Sequence, residues 1–399
     1  MSGEVPKEWR STRLGDVSRS FAGGTPSRSN PAYYGPGIPW LKSGEVRAGR
    51  ISMVEEQITE IGLQESSARI AKAGSPVIAM YGATAGVAGI LEVDAALNQA
   101  VLAIEPVGTK LDNEFCFHLL SAEAPRLLTM TQGSGQPNLS KGLIDGLSVP
   151  LPPLDEQRRI AEVLRSVDNA MAGGQNVAEQ AQTVWNGLTE TLIWDRLSSS
   201  PNVAQPLGHA LLGTDYGVNA PLGNEPTGYA VLRMGNLQDG WIDPTDMKWG
   251  EIADAEALTL ALDVGDILFN RTNSRDLVGK VALVREPTDF LYASYIVRLR
   301  VDQSVADPYY LFAMMHSRRA QAQFKSIATP GVSQSNINPT NLKKQIIPLP
   351  PLADQRGISE QLQSAEAARR IALEQLVTLR QIKSDLMSDL LSGRVRVPA

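Results

Sequence analysis

The sequence predicts an α+β protein in which two similar, strand-rich domains of mixed structure alternate with two long helices that pair as an antiparallel coiled coil. Three observations carry this. Pro150-Leu-Pro-Pro-Leu-Asp-Glu-Gln157 returns as Pro348-Leu-Pro-Pro-Leu-Ala-Asp-Gln355, 198 residues later in a chain of 399. Behind each copy runs an apolar stripe stepping by three and four residues, the period of a helix face. Ahead of each lie short apolar runs punctuated by glycine and proline, which break both ladders and helices.

The match continues outward at the same offset. Gln136 and Asn138 return as Gln334 and Asn336; Arg158, Ile160 and Leu164 as Arg356, Ile358 and Leu362; Val184, Leu188 and Leu192 as Ile382, Leu386 and Leu390. Solenoid units run roughly 20–50 residues, so this is a duplicated domain with its helix. The boundaries read as 1–152 for the first domain, 153–200 for the first helix, 201–350 for the second domain and 351–393 for the second helix.

In the first domain, Gly23-Gly-Thr-Pro-Ser27 is loop chemistry, and Pro39 in Ile38-Pro-Trp-Leu-Lys42 places that strand at a sheet edge or strand start. Pro76 to Tyr81 is a compact apolar run before the small-residue stretch Gly82 to Gly89. Leu97 to Ile104 is a further strand, and Glu114 to Met130 has helical spacing. From Asp155 the stripe Ile160, Leu164, Val167, Met171, then Val177, Ala181, Val184 and Leu188 describes a long helix with acids in its first turn. Gly173-Gly174 costs about 2 kcal/mol against alanine, which predicts a bend or break there. Ser198 to Pro201 reads as a linker. The second domain repeats the first with drift: Trp40-Leu-Lys-Ser-Gly44 corresponds to Val231-Leu-Arg-Met-Gly235, and Gly74-Ser-Pro-Val-Ile78 to Gly265-Asp-Ile-Leu-Phe269. The loop that follows is Gly-rich in the first copy, but polar and basic in the second, Asn270-Arg-Thr-Asn-Ser-Arg-Asp276.

Each helix seam approximates a heptad, which favours a partner helix, and the nearest partner is its duplicate. Within one chain the two pair most simply antiparallel, with a domain at each end of a rod. A helix of ~35 residues is about 50 Å long, and a turn of B-DNA takes ~35 Å. That geometry suits two recognition modules on a fixed ruler. It suits equally a duplicated scaffold or adaptor, unrelated to DNA, with a coiled-coil spacer.

Composition removes other classes. Net charge is −6, and no segment resembles a basic nucleic-acid tail. One cysteine, Cys116, rules out an internal disulfide. The N-terminus lacks an apolar signal core and no run approaches a membrane span, so the expected compartment is the cytoplasm and no membrane partner is expected. No phosphate-binding Gly-x-x-x-x-Gly-Lys loop, Rossmann glycine motif or nucleophile elbow occurs. His118, His209 and His316 are scattered, so a metal site is not expected, and His118 reads as a core-edge or surface residue. Asn30-Pro-Ala-Tyr33 faintly resembles a methyltransferase motif, but lies in a Gly/Pro loop and reads as a turn. The chain is read as non-catalytic.

Gly24-Thr-Pro-Ser27, Ile38-Pro-Trp-Leu-Lys-Ser-Gly-Glu45, Gly82-Ala-Thr84, Asn98-Gln99 and the doubled Pro-Leu-Pro-Pro-Leu-x-[Glu/Asp]-Gln occur here in an order that resembles the specificity (S) subunit of type I restriction-modification enzymes, over essentially the whole chain. The resemblance implies two target-recognition domains, each reading one half of a split double-stranded DNA sequence. It implies helices that space the domains and dock two modification (methyltransferase) subunits, with motor-nuclease restriction subunits joining them. S-adenosylmethionine, ATP and Mg²⁺ would belong to those partners and no cofactor to this chain. The second domain departs from the pattern in carrying Gly217-Val-Asn-Ala-Pro where the first has Gly-Thr-Pro-Ser.

Within that frame, Arg and Lys suit guanine edges or phosphate, and Asn and Gln suit adenine. The DNA-contact candidates are Ser27, Arg28, Lys42, Tyr81, Thr84, Ser134 and Gln136 in the first domain. In the second they are Arg233, Asn270, Arg271, Thr272, Asn273, Arg275, Ser333 and Gln334. For the helix pair, Ile160, Leu164, Val184, Leu188 and Leu192 are expected to pack against Ile358, Leu362, Ile382, Leu386 and Leu390.

Overall fold

A computed structural model of the chain describes residues 6–131, 138–199, 203–331 and 334–397. It contains two compact units, Met1–Gly174 with Glu374–Ala399, and Gln175–Leu373. Each is built from one domain and parts of both long helices.

In the first unit the strand Arg10–Arg13 pairs antiparallel with Ser148–Leu151, so the domain closes on itself just before the Pro-Pro turn. Its main sheet orders the strands Ser18–Ala22, Val101–Pro106, Pro76–Ala79, Ala88–Leu91 and Arg50–Ile51. A second sheet is built on Tyr34–Leu41, which runs parallel to Ala95–Leu97. The helix Asn113–Thr129, capped by Asp112, covers the main sheet with Phe115, Leu119 and Leu120 fully buried. The second unit repeats the plan. Ala204–Pro206 pairs with Ile346–Pro348, the main sheet runs Leu211–Tyr216, Ile296–Val301, Ile267–Asn270 and Val281–Leu283, and Tyr229–Leu232 lies parallel to Leu291–Tyr292. The helix Pro308–His316, capped by Asp307, takes the covering position.

The repeated glutamine explains why its motif is kept. Gln157 is fully buried; its Oε1 accepts from the Asp112 amide at 2.9 Å, and its Nε2 donates to the Lys110 and Pro152 carbonyls, each at 2.9 Å. Gln355 does the same for the Asp307 amide at 2.9 Å and the Val305 and Pro350 carbonyls at 3.0 and 2.7 Å. One amide side chain thus satisfies three backbone groups and ties the covering helix to the start of the long helix.

The first long helix spans Leu154–Thr189 and the second Leu352–Ser392. The helix is not broken at Gly173-Gly174. Gly174 lies on the seam itself, where a Cβ would come within 3.1 Å of Leu376 Cδ2, so the glycine permits close approach of the partner helix. The irregularity comes later, as a π turn at Glu190–Trp194 that sends Trp194 into the core, its Nε1 donating to Ser317 at 2.9 Å.

Placing Gly174 on the seam corrects the expected stripe. Positions 160, 164, 167, 171, 174, 178, 181, 185, 188 and 192 alternate steps of four and three, and all are buried or half-buried; so are their counterparts from 358 to 390. The stripe passes through the glycines instead of restarting after them. Val184 and Ile382, expected on the seam, are therefore one residue off it and are 54% and 42% exposed. Trp185 and Lys383 hold those places, and Lys383 pairs with Asp168 at 2.6 Å.

Within the first unit Ile160 and Leu164 share a core with Leu386 and Leu390. Within the second, Leu188 and Leu192 share one with Ile358 and Leu362. In each, the early part of one helix meets the late part of the other, the antiparallel sense. Ion pairs repeat that sense: Glu156 in the first turn of one helix holds Arg396 beyond the end of the other at 2.5 and 2.8 Å, and Asp354 holds Arg196 at 3.1 Å.

Candidate nucleic-acid interface

The recognition candidates fall at one edge of each domain, where the parallel strand pair meets the end of the central strand. In the first unit Tyr81, just past Pro76–Ala79, is exposed and forms an antiparallel bridge with Asn138, while the Leu139 amide donates to the Met80 carbonyl at 2.9 Å. In the second, Thr272 stands opposite Asn336, and the Ile337 amide donates to the Arg271 carbonyl at 2.8 Å. Tyr81 with Asn138 and Thr272 with Asn336 are thus equivalent pairs. The sequence repeat already aligned the two asparagines, but neither was singled out as a contact. That alignment was the available signal.

The second tip is the more elaborate. Arg271 donates to Asn336 Oδ1 at 3.1 Å and lies over the Tyr216 ring, 5.1 Å from its centroid. Arg271, Thr329, Pro330, Gly331, Gln334, Asn336 and Asn338 line an open cleft of ≈ 310 Å³. Gln334 and Arg275 are exposed, and the Arg275 guanidinium has no hydrogen-bond or ion-pair partner among the described residues.

Burial removes three candidates from direct contact. Asn270 is fully buried because the central strand runs through it; the loop begins later than the sequence suggested. Neither polar atom of its amide has a partner among the described residues. Asn273 is buried with its Oδ1 accepting from the Ser274 amide, and Thr84 is buried with its hydroxyl donating to the Tyr81 carbonyl at 3.4 Å. These side chains shape the tips and present no polar edge to a groove in this conformation. Ser134, Gln136 and Ser333 lie outside the described residues.

The remaining candidates form a second cluster. Ser27 and Arg28 are exposed beside Lys42, which follows Tyr34–Leu41. Arg28 and Lys42 share the carboxylate of Glu56, whose acidity is strengthened below the usual range by hydrogen bonding from Arg28. In the second unit Arg233, following Tyr229–Leu232, pairs with Asp246 at 2.6 Å. The Leu232 carbonyl accepts from the Ala293 amide at 3.0 Å, and two residues on the Tyr295 carbonyl accepts from the Arg271 amide at 3.0 Å, so cluster and tip adjoin. Glu56 and Asp246 escaped the sequence reading, which looked for cations and amides.

The missing Gly-Thr-Pro-Ser string is reconciled by one glycine. A Cβ at Gly23 would overlap the Leu97 carbonyl oxygen, and one at Gly217 the Tyr292 carbonyl oxygen. Leu97 and Tyr292 end equivalent parallel strands. The close approach is kept while the residues after it diverge.

Among the described residues no group of three or more His, Cys, Asp or Glu could hold an ion. His118, expected at a core edge or surface, is fully buried, and burial lowers its imidazole to about 3; His316 is lowered to about 4 for the same reason. They are equivalent, 198 residues apart. Cys116 is buried, which pushes its thiol up to about 12. Asn30-Pro-Ala-Tyr33 is the turn it was read as, with Asn30 Oδ1 accepting from Ala32.

Two domains of one design, each presenting amides and cations at one edge, define a two-headed recognition module. A family model described as the type I restriction modification DNA specificity domain matches residues 6–180 and again 222–384, and the chain belongs to that family. It is 23% identical over 384 residues to the EcoKI specificity subunit of Escherichia coli K12, across 90% of this chain and 82% of that one. It is 22% identical over 425 aligned positions to the MjaVIII specificity subunit of Methanocaldococcus jannaschii, across 98% and 94%. A putative MjaX specificity subunit of the same organism is 32% identical over 181 residues, a match spanning 45% of this chain and 43% of that protein. Among solved structures, the S subunit of a type I system from M. genitalium has the same fold, with a TM-score of 0.63 over 98% of this chain and 97% of that one at 12% identity. A chain from work on assembly and conformational transition of a type I system gives 0.51 over 98% and 100% at 16% identity.

Proposed function

We propose that this chain is the sequence-specific DNA-reading subunit of a type I restriction-modification complex, each domain reading one half of a split target. The observation that carries it is the equivalence of the two tips, Tyr81–Asn138 and Thr272–Asn336, at the edge of domains matched twice by one DNA-specificity model. Conserved design with different side chains is what two readers of different sequences require. Ser27, Arg28, Lys42 and Tyr81 serve the first half, and Arg233, Arg271, Thr272, Arg275 and Gln334 the second, with Asn138 and Asn336 added here. Arginine and lysine supply guanine or phosphate contacts, and asparagine and glutamine adenine contacts.

The helix pair Ile160, Leu164, Leu188 and Leu192 with Ile358, Leu362, Leu386 and Leu390 is the spacer in this reading. Its polar faces dock two modification subunits, with restriction subunits added to those. S-adenosylmethionine, ATP and Mg²⁺ belong to the partners. The compartment is the cytoplasm, where such a complex meets DNA; no helix among the described residues is long and apolar enough to cross a membrane.

The test is to map adenine methylation in cells expressing the chain with its methyltransferase partner, against cells with the partner alone. A split motif methylated only when this chain is present is the expected result. No new methylation from a complex shown to be assembled sinks the proposal.

A further inference from the structure

Both domains hold the cation behind the recognition strand on a carboxylate shared with a second cation. In the first, Lys42 Nζ lies 3.2 Å from Glu56 Oε2, and Arg28 makes a two-pronged pair with the same carboxylate, its second nitrogen at 3.0 Å. The Arg28 guanidinium also lies over the Tyr34 ring, 4.2 Å from the centroid. In the second, Arg233 donates to Asp246 Oδ2 at 2.6 Å and to its carbonyl at 3.0 Å, while Lys248 Nζ lies 3.4 Å from Oδ1.

The backbone frame is the same in both. The Lys42 amide donates to Glu45 at 3.0 Å, and the Arg233 amide to Asn236 Oδ1 at 2.8 Å. The acids lie alike, just ahead of the strand that pairs antiparallel with the recognition strand, but the third member differs: Arg28 precedes its strand, whereas Lys248 follows its acid by two residues. The duplication therefore explains the cation and its acid but not the second cation, which each domain recruits from a different place. One partner of each arginine pair is more than half exposed, which limits what the pair contributes to folding.

We infer that Glu56 and Asp246 are positioning residues for DNA discrimination, each carboxylate withholding two cations from phosphate so that binding depends on base contacts. The inference rests on the DNA-reading proposal. Non-specific affinity is almost wholly electrostatic, whereas specific affinity adds groove contacts. On the wrong sequence these cations have only phosphate to bind, whereas on the right one they also meet base edges, so the carboxylate penalises the wrong sequence more than the right one.

The experiment uses the complex of the full chain with its methyltransferase partner, with the motif known from methylation mapping. Affinity for a cognate duplex, and for one scrambled in a single half, is measured against salt. A slope of about −0.9 per phosphate contact makes each added contact worth roughly eightfold at 0.1 M salt. Glu56→Gln should tighten binding to the duplex scrambled in the first-domain half by about that factor, steepen its salt slope, and spread methylation to sites mismatched in that half alone. Asp246→Asn should do so for the other half, and Glu56→Asp should restore discrimination. Unchanged binding to the scrambled duplex with wild-type specificity intact overturns the inference and leaves the DNA-reading proposal standing. Loss of cognate binding by Glu56→Gln, with no gain on the scrambled duplex, also overturns it, since the carboxylate would then be reading a base. A wild-type complex with no sequence preference overturns the DNA-reading proposal itself.

Discussion

Replacing Gln157 with alanine tests what the doubled motif is for. The side chain is fully buried and makes three hydrogen bonds of 2.9 Å, all to backbone groups. At about 1 kcal/mol net for each bond the loss is about 3 kcal/mol. The damage is local, because two of the three bonds go to residues just ahead of the helix Asn113–Thr129. Hydrogen exchange resolves it: amides in that helix should lose about a hundredfold in protection, at 1.4 kcal/mol per tenfold. Gln355→Ala should do the same to Pro308–His316, through the Asp307 amide and the Val305 carbonyl. Protection in the covering helix changed by less than threefold in both variants would refute the reasoning. The motif would then be conserved between the copies for some purpose other than joining helix to helix.

Three further outcomes follow from burial and titration. Leu164→Asp puts an unpaired carboxylate into a fully buried seam position and should cost about 4 kcal/mol or more in denaturant unfolding, whereas Val184→Asp on the exposed side should stay within about 0.5 kcal/mol. Gly23→Ala and Gly217→Ala should each destabilise by about 1–3 kcal/mol on the same assay, because each new Cβ overlaps an equivalent carbonyl oxygen. His316 is held near 4 against an ordinary 6.5, so below pH 6.5 the unfolded chain binds a proton that the folded chain refuses. Stability should fall as pH drops from 6.5 towards 5 by about 1.4 kcal/mol per unit for that group, and His316→Gln should remove its share of the slope.

Much of this architecture was legible in the sequence because duplication prints the same physics twice. The offset of 198 located the Pro-Pro turns, the buried glutamines and the seam leucines, since all are fixed by burial and spacing. The Val184 and Ile382 assignments failed for a single reason. Glycine was read as a helix breaker, when a seam that needs two helices in close approach takes glycine as a seam residue. The tips were legible only in part. Asn270 looks like loop chemistry, yet it is the last residue of a strand buried on both sides, and strand ends are set by partners that one segment does not reveal. The carboxylates behind Lys42 and Arg233 were illegible, because each pairing is tertiary and the second cation comes from unlike segments in the two copies.

The central claim, one half of a split sequence read by each domain, is tested most directly by domain exchange. Residues 203–347 would be replaced with the second domain of another specificity subunit, and methylated motifs mapped with the same methyltransferase partner. One half of the motif should change, while the other half keeps its bases. A change in both halves, or in neither, from an assembled complex would contradict it.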